Sequence, residues 1–448
     1  MIPTSTLPPD SGGPTYLFRF AAVCAGIALF VAPFRSSAGI RGGMLLLALM
    51  AIVAFVWRKS KSGTTDFNIA NSQAVAPPPR YLLIALGLWA LVVAILSLFG
   101  PEPLMSLKSW RGDVLTPMMA GVVFFVLTRT PRMLAAWLLI LFISLLALTA
   151  MVVMDPFQPF AVGHEPRYVS VGWLSTWLTM LSALLPLTWL VKWPQPKVAQ
   201  VIGVIALVAI LLASWFTASR MVWVCFAAML IVYGSLQMRS DQHQQRQPIW
   251  RGVAVVLVGL VAMAALFYAS AAARANLYPG AAPDVAAFMW HDNRAIIWKE
   301  ALGLITEKPL AGHGYSLEGS REALSSRFTD PWFRDVFKHA HNMLLNVAIQ
   351  LGFIGALTLL LLFAALSRTF WAAPTRSEFS RAIATCGLIL VAGFFLRNMT
   401  DDFFSRHAVL LFGALVGMLL AVMRWPASVM SNASGTSGDG GRDGSDGK

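Results

Sequence analysis

Charge is what this sequence has least of. Asp, Glu, Lys and Arg together make up 12% of its 448 residues, against roughly a quarter in a typical soluble chain. So little polar surface excludes a soluble enzyme, a disordered chain and a nucleic-acid-binding domain. Cysteine is also scarce: Cys24, Cys225 and Cys386 lie far apart, each inside an apolar run. That excludes a disulfide scaffold or a cysteine metal site and leaves them as small packing residues. No convincing internal repeat is visible, a point against the repeat-built architecture common among transporters.

What the chain has in excess is apolar sequence, 57% of all residues, with a mean hydropathy of +0.67. A helix needs roughly 20 apolar residues to cross about 30 Å of hydrocarbon. Runs of suitable length fall at 15–34, 42–57, 81–100, 114–129, 133–154, 169–192, 197–216, 219–237, 251–273, 340–367, 380–397 and 407–424, the second and fourth being short. The expected fold is therefore all-α, a polytopic membrane protein of about twelve transmembrane helices. The first run is expected to be a retained helix, because Met1 to Phe18 holds no Lys or Arg and no convincing cleavage site follows. Helices one to nine occupy 1–273, a large hydrophilic loop 274–338, helices ten to twelve 339–424, and a Ser/Gly/Asp-rich tail 425–448 that reads as disordered.

The net charge of +13 would suggest nucleic acid in a soluble protein. Here it reports orientation, since cytoplasmic loops are enriched in Lys and Arg. With the N-terminus inside, fifteen basic residues fall in the cytoplasmic connections. Eight fall outside, at Arg35, Arg41, Lys108, Arg111, Arg167, Arg220, Arg397 and Arg406. Both termini are expected to face the cytoplasm. The loop 274–338 balances eight basic against eight acidic residues. Within it Asp292 or Asn293 is expected to cap an amphipathic helix through Ile296, Ile297, Trp298, Ala301, Leu302 and Ile305, stopped by Pro309, Gly312 and Gly314, lying on the bundle or membrane surface.

Sorting residues by side separates candidates for chemistry. His291, His313, His339 and His341 belong to the loop or its junction with the next helix, and His164 and His407 also face outward. His339-Ala340-His341-Asn342 places two imidazoles at the bilayer surface, a spacing that suits interfacial hydrogen bonding as well as catalysis. A zinc site would need a third ligand such as His313 or Asp402, and no such spacing is evident. Lys108, Arg111, Arg167, Arg220, Arg294 and Arg397 form a set of cations on the side where topology predicts few. Burying any one of them at mid-membrane costs on the order of 3 kcal/mol, so each needs water or an anion. A single arginine of this kind can snorkel to the interface. Together they suit a polyanion such as a lipid-linked diphosphate, which guanidinium forks match.

The spans, the loop before the tenth, His339-Ala340-His341-Asn342, Gly352 and Gly355 in the following helix, and Ser219-Arg220 at the outer edge resemble the O-antigen ligase and O-antigen polymerase superfamily. Trp298, Pro309, Gly312 and Gly314 within Arg294 to Tyr315 strengthen the likeness, whose motif-bearing part is about 294–355. The resemblance implies a multi-pass glycosyltransferase of the broad C-type architecture in a bacterial inner membrane, its large loop and active site facing the periplasm. It needs no metal and no cofactor. The donor it implies is a glycan on undecaprenyl diphosphate, and the ligase branch's acceptor is a sugar hydroxyl of lipid A-core. Beyond these and membrane lipids no partner is implied, nucleic acid included. Carried over by residue, the family's essential histidine falls on His339 or His341 and its diphosphate-binding arginines on Arg220 and Arg294. Lys108, Arg111, Arg167 and Arg397 are added from side and charge alone. His339 is favoured as base, with His341 and Asn342 orienting it or binding acceptor; Asp401-Asp402 leaves a carboxylate role open, taken at Asp402. The rivals are an O-antigen polymerase, a protein O-oligosaccharyltransferase and, more distantly, a polytopic exporter, against which the gathering of ionisable groups at one edge argues.

Overall fold

The computed structural model describes residues 16–61, 77–155, 170–190, 195–217, 219–244, 249–277, 294–331, 334, 339–372, 378–402, 404 and 406–425. Every regular element among them is helical: α1 Tyr16–Phe30, α2 Ala38–Lys61, α3 Arg80–Leu98, α4 Pro103–Trp110, α5 Thr116–Leu127, α6 Pro131–Met154, α7 Val171–Ser182, α8 Pro186–Leu190, α9 Pro196–Phe216, α10 Arg220–Gln244, α11 Ile249–Leu277, α12 Arg294–Glu307, α13 Leu317–Ser325, α14 Met343–Trp371, α15 Glu378–Asn398 and α16 Arg406–Val422. Arg167, His164, His291, Asp292, Asn293 and the tail after 425 lie outside the described residues.

Eight helical stretches are long and apolar enough to cross a membrane, and shorter apolar helices lie at Tyr16–Phe30, Arg220–Leu236, Val256–Ser270 and His407–Val422. Each coincides with one of the apolar runs in the sequence. Their outward faces carry exposed Ile84, Leu91, Val201, Val208, Val258 and Val261, which suits contact with lipid tails rather than water. The fourth run begins earlier than hydropathy suggests, at Pro103. A polar entry, α4, leads through a five-residue π turn, Arg111–Leu115, into α5. The sixth run breaks ahead of Pro186, which has no N–H to continue the ladder.

Lipid gives helices no hydrophobic reason to associate, so close backbone approach through small residues matters. α16 packs on α5 in this way: a Cβ on Gly417 would lie 2.1 Å from the Gly121 carbonyl oxygen, and one on Gly413 2.4 Å from that of Pro117.

The feature that places the site is a break in α14. Gly352 sits inside the helix at φ 63, ψ −166, a left-handed conformation that glycine adopts without penalty. The freed carbonyls are met by the connection after α12. Gly314 N–H donates to Gln350 O at 3.0 Å and His313 N–H to Ile349 O at 2.7 Å. In return Phe353 N–H donates to Pro309 O at 2.7 Å. Irregular backbone survives at membrane depth only when satisfied in this manner. A Cβ at Gly352 would lie 2.3 Å from Leu310 O. Gly352→Ala should therefore lose at least about 3 kcal/mol, from strain and the clash together, read as a large fall in detergent melting temperature or folded yield.

α12 packs on α14 and α13, burying Ile297, Ala301, Leu304 and Ile305. Ile296 and Leu302, expected on the same stripe, are exposed.

Candidate functional site

α14 starts where the loop re-enters the bundle, and its first turn fixes two histidines. Asn342 caps it: the side-chain oxygen accepts from Leu345 N–H at 3.1 Å, while the amide nitrogen donates to Met399 O at 3.1 Å. Both ends of that side chain are thus spent on structure, as an N-cap requires, tying α14 to the turn after α15. One residue earlier His341 takes φ 49, a conformation that is costly for a histidine and concentrates at functional sites.

The connection from α15 to α16 provides what His341 faces. His341 Nδ1 lies 2.8 Å from Asp401 Oδ1. A carboxylate only accepts, so Nδ1 carries the hydrogen and the lone pair of the neutral ring lies on Nε2. Behind Asp401 stands Arg397, 2% exposed, its Nη2 3.6 Å from Asp401 Oδ2. Arg397 also donates to Ser175 Oγ on α7, at 2.8 Å from Nη2. Burial alone raises the carboxyl of Asp401, but the hydrogen bond from His341 and the charge of Arg397 outweigh it and hold Asp401 well below the usual carboxylate range.

His339 differs. Its ring lies 4.0 Å from that of His341, centroid to centroid, and its Nδ1 accepts from His341 N–H at 3.3 Å. With Nδ1 accepting, the neutral ring carries its hydrogen on Nε2. Burial first, and the adjacent His341 second, lower its pKa to about 4, with Asp401 pulling the other way. Between the two rings Ala340 is held from both sides, its N–H by Asn346 Oδ1 at 2.8 Å and its carbonyl by Trp298 Nε1 at 2.9 Å. Asn346 also donates to Asp402, which accepts from Phe404 N–H at 3.0 Å. Burial raises the Asp402 pKa, the reverse of its neighbour.

The fold thus joins His339, His341, Asn342, Arg397, Asp401 and Asp402. Arg220 and Arg294 are half-buried and each opens a helix. α10 packs on α7 and α15, which supply Ser175 and Arg397, and Arg294 precedes Trp298 by one turn of α12. Lys108 and Arg111 are exposed on α4 and the π turn. His313 lies apart as a brace, its Nε2 2.9 Å from Leu304 O. Sequence reasoning named Asp401 only as one of two adjacent acids, with the carboxylate role taken at Asp402, and did not single out Asn346 or Ser175.

Among the described residues, one cluster has metal-ligand spacing: donor atoms of His339, His341 and Asp401 lie within 4.8 Å of one another. The third ligand is thus Asp401, neither His313 nor Asp402. The 2.8 Å hydrogen bond shows that His341 and Asp401 also satisfy each other directly through a proton.

A family model described as O-antigen ligase matches residues 205–360. That stretch holds Arg220, Arg294, His339 and His341 and stops short of Asp401. No curated protein matches the chain.

Proposed function

We propose that this protein is a membrane glycosyltransferase of the O-antigen ligase type, moving a glycan from undecaprenyl diphosphate to a sugar hydroxyl of lipid A-core at the periplasmic face of the inner membrane. The observation that carries the reading is the His341–Asp401 hydrogen bond at 2.8 Å, at the capped start of α14 and in a chain similar to O-antigen ligases over 205–360. About twelve spans, N-in and C-in, in a C-type arrangement, are part of the same reading.

In this mechanism His341, rather than His339, is the base, because Asp401 accepts its Nδ1–H and so sets its basic lone pair on Nε2, whereas the Nδ1 lone pair of His339 accepts from His341 N–H. The acceptor hydroxyl gives its proton to Nε2 as its oxygen attacks the anomeric carbon. The bond from that carbon to the diphosphate oxygen breaks, and the electron pair leaves on the diphosphate. Attack opposite the leaving group inverts the anomeric centre. Asp401 stabilises the imidazolium, and Arg397 and Ser175 position Asp401. Buried behind the carboxylate, Arg397 is assigned this role instead of diphosphate binding. Arg220 and Arg294 stabilise the charge developing on the diphosphate, with Lys108, Arg111 and Arg167 as outlying cations. Asn342 positions the histidine turn, and Asp402 contacts acceptor.

Purified protein is to be incubated with undecaprenyl-diphosphate glycan, with and without lipid A-core. A glycan–lipid A-core product that needs lipid A-core is expected. Elongation of the undecaprenyl glycan without it would make the protein a polymerase, and no transfer in either arm would end the glycosyltransferase reading. Exhaustive chelation should leave the rate within twofold; loss on chelation, restored by a divalent ion, would make His339, His341 and Asp401 a metal site instead.

A further inference from the structure

The backbone entering His341 is held at three successive polar groups. Ala340 N–H donates to Asn346 Oδ1 at 2.8 Å, Ala340 O accepts from Trp298 Nε1 at 2.9 Å, and His341 N–H donates to His339 Nδ1 at 3.3 Å. His341 itself stands at φ 49. A left-handed residue other than glycine persists only where its surroundings over-determine it, and these bonds are what does so on its N-terminal side.

Of the three, only the Asn346 bond leads on to the acid pair. Asn346 is 1% exposed and lies one turn after the cap, its N–H donating to Asn342 O at 2.9 Å, so the two amides share a face of α14. A backbone N–H can only donate, so the side-chain oxygen of Asn346 faces Ala340 and its Nδ2 is left to donate to Asp402 Oδ2. Asp402 in turn gives its own N–H to Asp401 Oδ1 at 3.1 Å. That is the oxygen which accepts from His341 Nδ1 at 2.8 Å. The path closes on itself, from the His341 ring through Asp401, Asp402 and Asn346 back to the peptide before His341. The two ends of the His341–Asp401 bond are thus joined through one buried side chain. Its position calls for a group that accepts on one side and donates on the other: leucine, similar in shape, does neither, and an ionised aspartate only accepts.

We propose that Asn346 is a positioning residue for glycan transfer: through Asp402 and the Ala340 peptide it holds the His341 ring and the Asp401 carboxylate in register, with Trp298 bracing the same peptide from α12. The role rests on the glycosyltransferase reading above and deepens it by naming what keeps the base in its Nδ1–H tautomer. Asn346 touches neither substrate in this role. Trp298 follows Arg294 by one turn of α12, so its brace also joins the helix that opens with a donor-binding cation to the turn that carries the base.

The test uses full-length protein in nanodiscs, with initial transfer rates per folded molecule measured against each substrate separately. Alongside them, imidazole nitrogen NMR of histidine-labelled protein reads the His341 tautomer, the signal being assigned by its loss in His341→Gln. Asn346→Leu should lower kcat by roughly ten- to a hundredfold, the scale on which a small misplacement acts, with both KM values within twofold. His341 should then show both tautomers where wild type shows Nδ1–H alone. Trp298→Phe keeps a ring and drops the N–H; it should shift the same two readouts the same way, kcat by roughly three- to tenfold, and it carries the test alone should Asn346→Leu not fold. A merely structural residue would lower folded yield or melting temperature and leave kcat and tautomer untouched, and that result overturns the proposal. So does a fall in kcat with the His341 signal unchanged, or a rise confined to acceptor KM, which would tie Asn346 to the acceptor contact of Asp402 instead. If wild type transfers nothing while Asn346→Leu still mixes the tautomers, the ligase reading fails and the positioning role stands. Normal transfer by wild type with an indifferent Asn346→Leu gives the reverse.

Discussion

Folded His341→Ala protein should lose transfer by roughly a hundredfold to ten-thousandfold in kcat, the usual contribution of a general base. Asp401→Asn should lose a comparable share, because an amide can offer its N–H to Nδ1 and favour the wrong tautomer, leaving no lone pair directed at the substrate. His339→Gln should cost far less. The pH dependence separates the rings. Burial and the neighbouring His341 hold His339 neutral until about pH 4, so His339→Gln should leave the acid limb of the rate profile in place. Stability gives a second reading. The unfolded chain protonates this imidazole near 6.5 and the folded chain only near 4. Unfolding therefore takes up a proton between those values, and stability falls as pH drops from about 6.5 to 4. Melting temperature should decline across that window and decline less in His339→Gln. Asp401, held below its usual 3.8, withdraws its contribution only at lower pH and does not obscure the effect. If His339→Gln instead abolishes transfer and moves the acid limb, the base is His339.

How much of this could be read from the sequence depends on the range of the interaction. The apolar runs coincide with helical stretches, the sixth broken ahead of Pro186 and the tenth at Gly352, because length and hydropathy are local properties, and Pro309 stopped α12 for the same reason. Within α12 the pattern identified the helix but not its orientation: Ile296 and Leu302 point outward because α13 and α14 cover only the face of Ile297, Ala301, Leu304 and Ile305. The break at Gly352 was invisible, since it exists only because the distant Pro309–Gly314 connection supplies partners for the freed backbone. The site followed the same rule. His339-Ala340-His341-Asn342 stood out as a local cluster, whereas Asp401 reaches His341 across sixty positions and Ser175 meets Arg397 across 222. Sorting cations by side picked out Arg397, yet charge alone could not tell a residue facing a phosphate from one buried behind a carboxylate. That distinction is a matter of burial, which only the packing of α7 against α15 decides.

The same distinction sets the second large effect, expected at Arg220 and Arg294. Each is the first residue of its helix, where the macrodipole is positive and a cation is disfavoured by about 0.3–1 kcal/mol. An anion there reverses the balance, drawing on the helix N–H groups and the guanidinium together. A donor diphosphate, whose charge grows as the glycosidic bond breaks, gains most at the transition state. Arg294→Ala and Arg220→Ala should therefore each lower kcat by about a hundredfold to a thousandfold, with smaller changes in donor KM. Lysine at either position should restore part of the loss, since it supplies charge without the bidentate fork. Lys108→Ala and Arg111→Ala, on exposed side chains, should change kcat less than about threefold, because water screens what they contribute. Single-turnover rates with saturating donor read this directly. A result in which Arg220→Ala and Arg294→Ala raise donor KM alone, with kcat intact, would reduce both residues to docking groups. Stabilisation of the departing charge would then have to come from another donor.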